Sequence, residues 1–422
     1  DEYYKKMVEA FLDKFKTDLF LAFASCDCSG NDLMMFDDDR NIWNKVSHRL
    51  SVKKLNRYSA KEILQLNSTK INHDRECKEC LRSDSDIVDG YCGVCDELIN
   101  FSSKFQAMDN HQFLCVSHEG DLTLPFEYKL SIKSKKDVES SLENYYKVYS
   151  KNNPHMGSNV STNLWISNYF KEKEIDKYAK LSTGIQRLGV LRADVDNLGR
   201  AFTSGIPKKY NSLSRTTTLS RKLSMFFKYG VDQILKDNQY LATVIYSGGD
   251  DLFIIGAWDD VIELSLNIRD MFSKYTQGTL TLSAGIGMYR SKYPIYKMAS
   301  ETGLLEDCAK RDMKNKVSLW SSQKVYPWDV LKENILKQKV SLIKKEFDKQ
   351  EDHKKAFIYK VMTLLREDSP LNIARLAYLL GKSKISDEFS NFVFEWANDK
   401  KEKEYLVTAL EYYIYKVRKE QK

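Results

Sequence analysis

The side chains best suited to chemistry in this sequence are two pairs of acids. The first is Asp194-Val195-Asp196, which closes an apolar run over residues 188–195. The second is Asp250-Asp251, set in the turn Ser247-Gly248-Gly249-Asp250-Asp251 between the apolar runs 241–246 and 252–257. Clustered carboxylates at a sheet edge repel one another unless a cation joins them. Magnesium or manganese with a bound nucleotide fits, because such ions take hard oxygen ligands from a few carboxylates, phosphates and waters. Two such ions would activate a 3′-hydroxyl and stabilise a pyrophosphate leaving group in an in-line displacement. Gly248 and Gly249 are expected to let the backbone turn tightly and to admit a triphosphate where a Cβ would intrude. Asp250 and Asp251 are consecutive, so in an extended chain they point to opposite faces. One of them would then ligate directly and the other through a neighbour or water. Lys310 and Lys314 follow the last long helix of this region and are placed to neutralise triphosphate charge, with a solvated helix end as the even alternative. Taken singly, Asp-x-Asp reads as a solvated strand end and Gly-Gly-Asp-Asp as a hairpin turn. Their joint placement favours a site.

The elements that must position these acids are legible from periodicity. Residues 188–195 suit a buried strand. Residues 212–236 repeat apolar side chains at helical spacing, through Leu219, Leu223, Phe226, Phe227, Val231 and Ile234. The acidic turn joins two short strands into a hairpin. Residues 259–276 return to helical spacing, with Asp259 or Asp260 as the expected cap. Residues 279–288 alternate, placing Leu280, Leu282, Ala284, Ile286 and Met288 on one face. A helix over 294–312 and a strand over 316–320 follow. The order is β-α-β-β-α-β with an appended helix and strand. That is the ferredoxin-like arrangement, an antiparallel sheet with helices on one face, within an α+β protein. In it the first strand lies beside the hairpin, so the two acidic pairs converge.

A second constellation lies upstream. Cys77-Lys78-Glu79-Cys80 and Cys92-Gly93-Val94-Cys95 are two Cys-x-x-Cys knuckles separated by 11 residues. Each turns two thiolates to one side, and two knuckles complete a tetrahedron that favours zinc. Four closed ligands leave no open position for a substrate, so the expected role is structural. Cys26 and Cys28 read as incidental, and Cys115 and Cys308 are scattered.

Composition bounds the rest. The 422 residues are 42% hydrophobic and 30% charged, an ordinary globular balance. Clustered cysteine pairs without a secretory signal point to metal binding in a reducing cytoplasm. No run approaches the roughly 18 apolar residues of a membrane span. The net charge of +7 is compatible with nucleic acid or nucleotide partners without identifying them. Lys45, His48, Arg49, Lys53, Lys54, Arg57 and Lys61 form a basic stretch, read here first as a solvated helix face. The chain opens Asp1-Glu2-Tyr3 without an initiating Met and is expected to be part of a longer one.

Here a family resemblance becomes specific. Residues 246–253, Tyr-Ser-Gly-Gly-Asp-Asp-Leu-Phe, preceded by residues 191–199, Leu-Arg-Ala-Asp-Val-Asp-Asn-Leu-Gly, resemble the second palm domain of the large subunit of type III-A (Csm-type) CRISPR effector complexes. The upstream cysteine pairs and helical C-terminus match that protein's order of parts. The resemblance implies a palm related to nucleotide cyclases and polymerases, one that joins ATP into cyclic oligoadenylates when target RNA is bound. It implies that Asp194, Asp250 and Asp251 carry metal and ATP. It also implies that Ser247, Gly248 and Gly249 line the phosphates; Val195, Asp196, Lys310 and Lys314 are further expected at the nucleotide site from their positions in the sequence. The expected partners are the other complex subunits, with crRNA and target RNA contacted through them. A His-Asp nuclease domain and a complete first palm, present in the family, are not found. His73-Asp74 is a lone doublet. ATP binding with poor synthesis is therefore expected of this chain alone.

The expected division is a first-palm remainder and helical linker over 1–75, a zinc module over 76–117, a connector over 118–185, a palm over 186–326 and a helical bundle over 327–422. Within the first segment, residues 19–24 read as a buried strand. The main alternative is a zinc-bearing scaffold whose palm does no chemistry. A stand-alone diguanylate-cyclase-like enzyme is weaker, because Leu252-Phe253 follows the acids and the zinc module has no place in that plan.

Overall fold

The computed structural model describes residues 2–30, 32, 42–68, 76–83, 85–109, 111–153, 161–207, 210, 212–348, 354–367, 369–383 and 385–418. His73-Asp74 lies outside these residues. The chain forms two compact units, Asp1–Ile166 with Phe202–Ser220, and Ser167–Ala201 with Arg221–Lys422. Among the described residues, no helix is long and apolar enough to cross a membrane.

The first unit opens with three helices, α1 (Glu2–Phe15), α2 (Ile42–Leu55) and α3 (Ala60–Asn67). Residues 19–24, expected as a strand, are irregular and pair with no strand among the described residues. An apolar run alone cannot make a strand without a neighbour to satisfy its backbone. Strands β1 (Ile87–Val88) and β2 (Tyr91–Cys92) form a minimal hairpin. Its turn residues Asp89 and Gly90 both have positive φ, the conformation an Asp-Gly hairpin turn requires. Helix α4 (Gly93–Ala107) follows. It packs on a five-stranded sheet built from β3 (Gln112–Ser117), β4 (Leu122–Thr123), β5 (Lys129–Ser134), β6 (Lys147–Lys151) and β7 (Thr162–Leu164), in the order β4-β5-β3-β6-β7. Phe101, Phe105 and Met108 meet Leu114, Leu122 and Leu130 on one face. Phe113, Cys115 and Val148 meet Val138 of α5 (Lys135–Ser140) on the other. The segment expected as a connector with a few strands supplies four of this sheet's strands, β4 to β7, and β3, upstream of residue 118, pairs with β5 and β6.

The second unit is built on β8 (Leu188–Val195), preceded by α6 (Ile175–Leu181). After β8 the chain continues through α7 (Leu198–Ser204) and α8 (Leu213–Met225), of which residues 202–220 belong to the first unit, then a π-helical turn Phe226–Gly230 and α9 (Val231–Asn238). Then follow β9 (Ala242–Ser247), β10 (Asp251–Ala257), α10 (Trp258–Tyr275), β11 (Leu282–Tyr289), α11 (Ile295–Lys310), β12 (Lys316–Leu319) and β13 (Val325–Pro327). The sheet order is β13-β12-β11-β8-β10-β9. Its core of β11-β8-β10-β9 is antiparallel, and β12 joins β11 in parallel. This is the expected βαββαβ order with its appended helix and strand.

One expectation is corrected. The sheet carries helices on both faces. A Cβ on Gly189 would meet Trp258 and Val261 of α10, whereas a Cβ on Gly285 would meet Thr302 and Glu306 of α11. The composition of β8 explains this: Leu188 and Val190 on one face and Leu191, Ala193 and Val195 on the other are all buried. A strand apolar on both sides must be covered on both. Each fully buried Leu or Val contributes about 1.5–3 kcal/mol. Nor do the acids at the start of α10 cap it. Ala257 occupies the cap position; Asp259 accepts from Thr183 N (3.3 Å) and Asp260 from Leu241 N (2.7 Å).

The C-terminal region is helical, as expected. A wide-turned segment, Val330–Val340, leads into α12 (Ser341–Phe347), α13 (Lys354–Arg366), α14 (Pro370–Lys382), α15 (Asp387–Asn398) and α16 (Lys400–Val417). Helix α16 runs through the core of this bundle with Leu406, Leu410, Tyr413 and Ile414 buried.

Candidate active site

Register brings the acids together. In the β8–β10 ladder Asp251 stands directly opposite Asp194. Directly paired residues project to the same face with their Cβ atoms about 5 Å apart. Asp250 enters from the turn, which Gly248 N closes by donating to Asp251 O (2.9 Å). One carboxylate oxygen from each of Asp194, Asp250 and Asp251 lies within 4.8 Å of the others. Oxygens sharing one magnesium at about 2.1 Å sit roughly 3–4 Å apart, so a small adjustment of side-chain torsions suits these three to a hard divalent cation.

The electrostatics favour the same chemistry. Burial, and then the bond and charge of Asp194, push the Asp251 carboxyl up to about 6. Burial and Asp194 also raise Asp250. Without a cation, three neighbouring carboxylates are costly to ionise together. One cation is built in: Lys310, at the end of α11, places its Nζ 2.6 Å from Asp194 Oδ2 and 2.6 Å from Glu306 Oε1. Burial works against its charge, but Asp194 and Glu306 outweigh burial and hold the ammonium above its ordinary range. Arg192 Nε lies 3.4 Å from Glu306 Oε2. Beside Asp251, a cavity of about 190 Å³ is lined by Arg192, Tyr246, Phe253, Ala299 and Glu306 among others.

Other residues singled out from the sequence are placed differently. Asp196 is 3% exposed, and its carboxylate is taken up by Thr281 Oγ1 (2.7 Å), Ser283 Oγ (2.7 Å) and the Asn315 N–H (3.0 Å). It is not among the three grouped acids. Val195 is buried, so its side chain faces the core. Ser247 donates to Phe227 O (2.7 Å). Gly248 and Gly249 both lack positive φ, so the turn does not depend on glycine's left-handed freedom. A Cβ on Gly249 would meet only Ser224 Oγ at 3.6 Å, ordinary contact. Lys314 is half-buried after α11 and forms no ion pair among the described residues. Sequence reasoning missed Glu306 and Arg192. Their sole sequence signal is spacing: Glu306 is one turn before Lys310, and Arg192 is two residues before Asp194 on the same strand face.

The four knuckle cysteines of the first unit also converge. Their Sγ atoms lie within 4.8 Å of one another, with Cys80 and Cys92 at 3.7 Å. Sulfurs bound to one zinc at about 2.3 Å stand roughly 3.8 Å apart, so the set fits tetrahedral zinc. Although burial opposes ionisation, main-chain N–H groups of Cys80, Cys92 and Glu79 bring the Cys77 thiol down to about 6. Burial and neighbouring sulfurs raise Cys95.

Sheet, strand-end acids and hairpin define a palm. The sequence profile of the Cas10/Cmr2 second palm domain matches residues 187–318. The profile of the second helical domain of the CRISPR RNA silencing complex Cmr2 subunit matches 344–419, and that of Csm1 subunit domain B matches 1–69. The chain is 47% identical to a CRISPR system single-strand-specific deoxyribonuclease Cas10/Csm1 (subtype III-A) of Enterococcus italicus, over 98% of this chain and 56% of that one. It is 37% identical to the protein of the same description from Mycobacterium tuberculosis, over 99% and 58%. The chain belongs to the Cas10/Csm1 family of subtype III-A, and spans a little over half the length of these curated relatives. Among solved structures, an apo Csm1–Csm4 cassette matches with TM-score 0.74 at 22% identity, over 99% of this chain and 59% of that one. A cassette in complex with one ATP (0.72, 22%, covering 99% and 59%) and one with cA4 (0.69, 22%, covering 99% and 59%) also match. At these identities the structures establish likeness of fold.

Proposed function

We propose that residues 186–326 form the catalytic palm of a type III-A CRISPR effector subunit, and that this palm converts ATP to cyclic oligoadenylate. The observation that carries this reading is the convergence of the Asp194, Asp250 and Asp251 carboxylates from a strand end and its neighbouring hairpin. Membership of the Cas10/Csm1 family and the nucleotide complexes of proteins with this fold support it. In this reading Asp194, Asp250 and Asp251 hold magnesium or manganese. When bound, the ions supply charge for the triphosphate and acidify a 3′-hydroxyl. The hairpin 247–251 borders the phosphates, and Lys310 offsets their charge. Asp196 acts one step back, fixing the chain beyond β8 through Thr281, Ser283 and Asn315.

The proposed division keeps residues 186–326 as this palm, 327–422 as its helical companion, and 1–75, 76–117 and 118–185 as preceding segments. Structural zinc is proposed for Cys77, Cys80, Cys92 and Cys95. The proposed partners are a Csm4-type subunit and, through the complex, crRNA and target RNA. The deoxyribonuclease activity in the relatives' description is no part of this proposal.

The test is synthesis by the assembled complex supplied with ATP, magnesium and target RNA. Asp250→Ala with Asp251→Ala should abolish oligoadenylate while leaving assembly intact. Synthesis at the parent rate by that double variant would refute the assignment and leave the scaffold reading.

A further inference from the structure

The acid cluster has a fourth carboxylate whose role the proposed chemistry does not use. Glu306 is 6% exposed and lies on α11, one turn before Lys310. A buried acid normally requires partners that offset the cost of its charge. Glu306 has two, Arg192 at 3.4 Å and Lys310 at 2.6 Å. Lys310 in turn reaches Asp194 at 2.6 Å. The charges therefore alternate in a line, Arg192⁺, Glu306⁻, Lys310⁺, Asp194⁻, linking α11 to β8. The two ends of that line are not equivalent. Arg192 and Glu306 line the cavity beside Asp251 without being among the three grouped acids, whereas Asp194 is one of them. The Lys310 ammonium thus sits on a carboxylate that a divalent ion must also use. An ammonium and a divalent ion on the same carboxylate repel each other, so each weakens the other's hold on Asp194. Lys310 is carried on a flexible four-carbon stem and its side chain is 26% exposed, so it can leave Asp194.

We infer that Lys310 is a resident competitor for the metal at Asp194, and that Glu306 is a positioning residue which retains Lys310 at the site's edge when an ion displaces it. This rests on the metal-binding reading of Asp194, Asp250 and Asp251. Glu306 acts in both states. Before metal binds it shares the ammonium with Asp194 and so loosens that contact. Afterwards it holds the ammonium within reach of the phosphates. Without Glu306, Lys310 would have Asp194 as its one acidic partner among the described residues.

The experiment is Mn²⁺ binding by the 422-residue chain, read by electron paramagnetic resonance of free Mn²⁺ with no nucleotide present. Lys310→Met should tighten Mn²⁺ binding about fivefold or more, and Glu306→Gln should weaken it by a similar factor. Simple loss of a nearby negative charge would also weaken binding, so the combination decides. With Lys310→Met already present, Glu306→Gln should change the affinity by a clearly smaller factor than in the parent, because the positioned group is gone and only the direct effect of the lost charge remains. Unchanged affinity in Lys310→Met overturns the inference. So does a Glu306→Gln effect that persists undiminished alongside Lys310→Met. Lys310→Met removes no buried acid, so it tests the competition even where Glu306→Gln does not fold. Parent and Asp250→Ala/Asp251→Ala proteins binding Mn²⁺ equally would overturn the underlying metal site instead, a separate result.

Discussion

Asp194 and Asp251 are direct partners across the antiparallel ladder of β8 and β10, and they face the same side of the sheet. Like charges opposite one another destabilise a sheet. In the metal-free protein burial, and then the bond and charge of Asp194, raise the Asp251 carboxyl from an ordinary 3.8 to about 6. A carboxyl raised on folding holds its proton more tightly in the native state than in the unfolded chain. Stability contributed in this way is therefore complete below about pH 4 and lost as pH rises towards about 6. Asp251→Asn removes the penalty. In buffer free of magnesium and manganese, it should raise stability to urea at pH 7.5 by about 1 kcal/mol, a figure reduced for solvent screening. The gain should vanish near pH 4. A destabilised Asp251→Asn protein at pH 7.5 would contradict the account.

Asp196 makes the contrasting prediction. Its carboxylate satisfies two hydroxyls and one main-chain N–H while almost fully enclosed. Asp196→Ala leaves these donors without their acceptor and should cost about 3 kcal/mol. The Mn²⁺ affinity of the folded fraction should stay near the parent value, because the grouped acids are untouched. Loss of Mn²⁺ binding without loss of stability would return Asp196 to the metal site. Urea unfolding and Mn²⁺ titration of one preparation separate the two.

The glycines that matter to packing are not those of the acidic turn. A Cβ on Gly248 would strike the hydroxyl end of Tyr246 at 2.3 Å, a side-chain tip free to swing aside. A Cβ on Gly285 would lie 2.5 Å from both Thr302 O and Glu306 N, main-chain atoms of α11. Gly285→Ala must push away the helix that carries Glu306 and Lys310. It should cost about 2–3 kcal/mol. Gly248→Ala should stay within about 1 kcal/mol of the parent. Thermal unfolding of the two variants checks the order, and the reverse order would contradict this packing.

These contrasts show what was legible in the sequence. The β8 run, the acidic hairpin and β11 could be read because each is a short apolar segment bounded by polar or turn residues, although β8 and β11 are buried on both faces. Strand order then followed, and with it the meeting of Asp194 with Asp250 and Asp251. What escaped notice depends on distant partners. Glu306, between Leu305 and Asp307, looks like part of a solvated helix face until Arg192 is seen across from it. The sheet of the first unit hides in a Ser- and Lys-rich stretch, where strands such as β5, Lys-Leu-Ser-Ile-Lys-Ser, keep few apolar positions. Residues 19–24 show the opposite error, apolar enough for a strand but with none to pair with among the described residues. Asp196 looks like a ligand from its place in Asp-x-Asp, and only the hydroxyls of Thr281 and Ser283 reveal where its charge goes.

The cysteine cluster gives the last prediction. Cys77 is brought down to about 6 by main-chain N–H groups against burial, whereas burial, with the sulfurs of Cys77 and Cys92, raises Cys80, and burial with the other three sulfurs raises Cys95. Four thiols so arranged cannot all ionise together without a cation between them. Zinc supplies it, and because the thiols must deprotonate to bind, uptake should release protons. Metal analysis of the purified chain should give one zinc, and Cys80→Ser should lower that content sharply. The hairpin of β1 and β2 is only two residues per strand and cannot hold itself in water. A strong chelator should therefore loosen residues 77–95 first, read as faster amide exchange there. Exchange in β8 and β10 should be little changed, since their core is apolar. A zinc-free chain with the same protection at Cys77 and Cys92 would show that these thiols pack as an ordinary core.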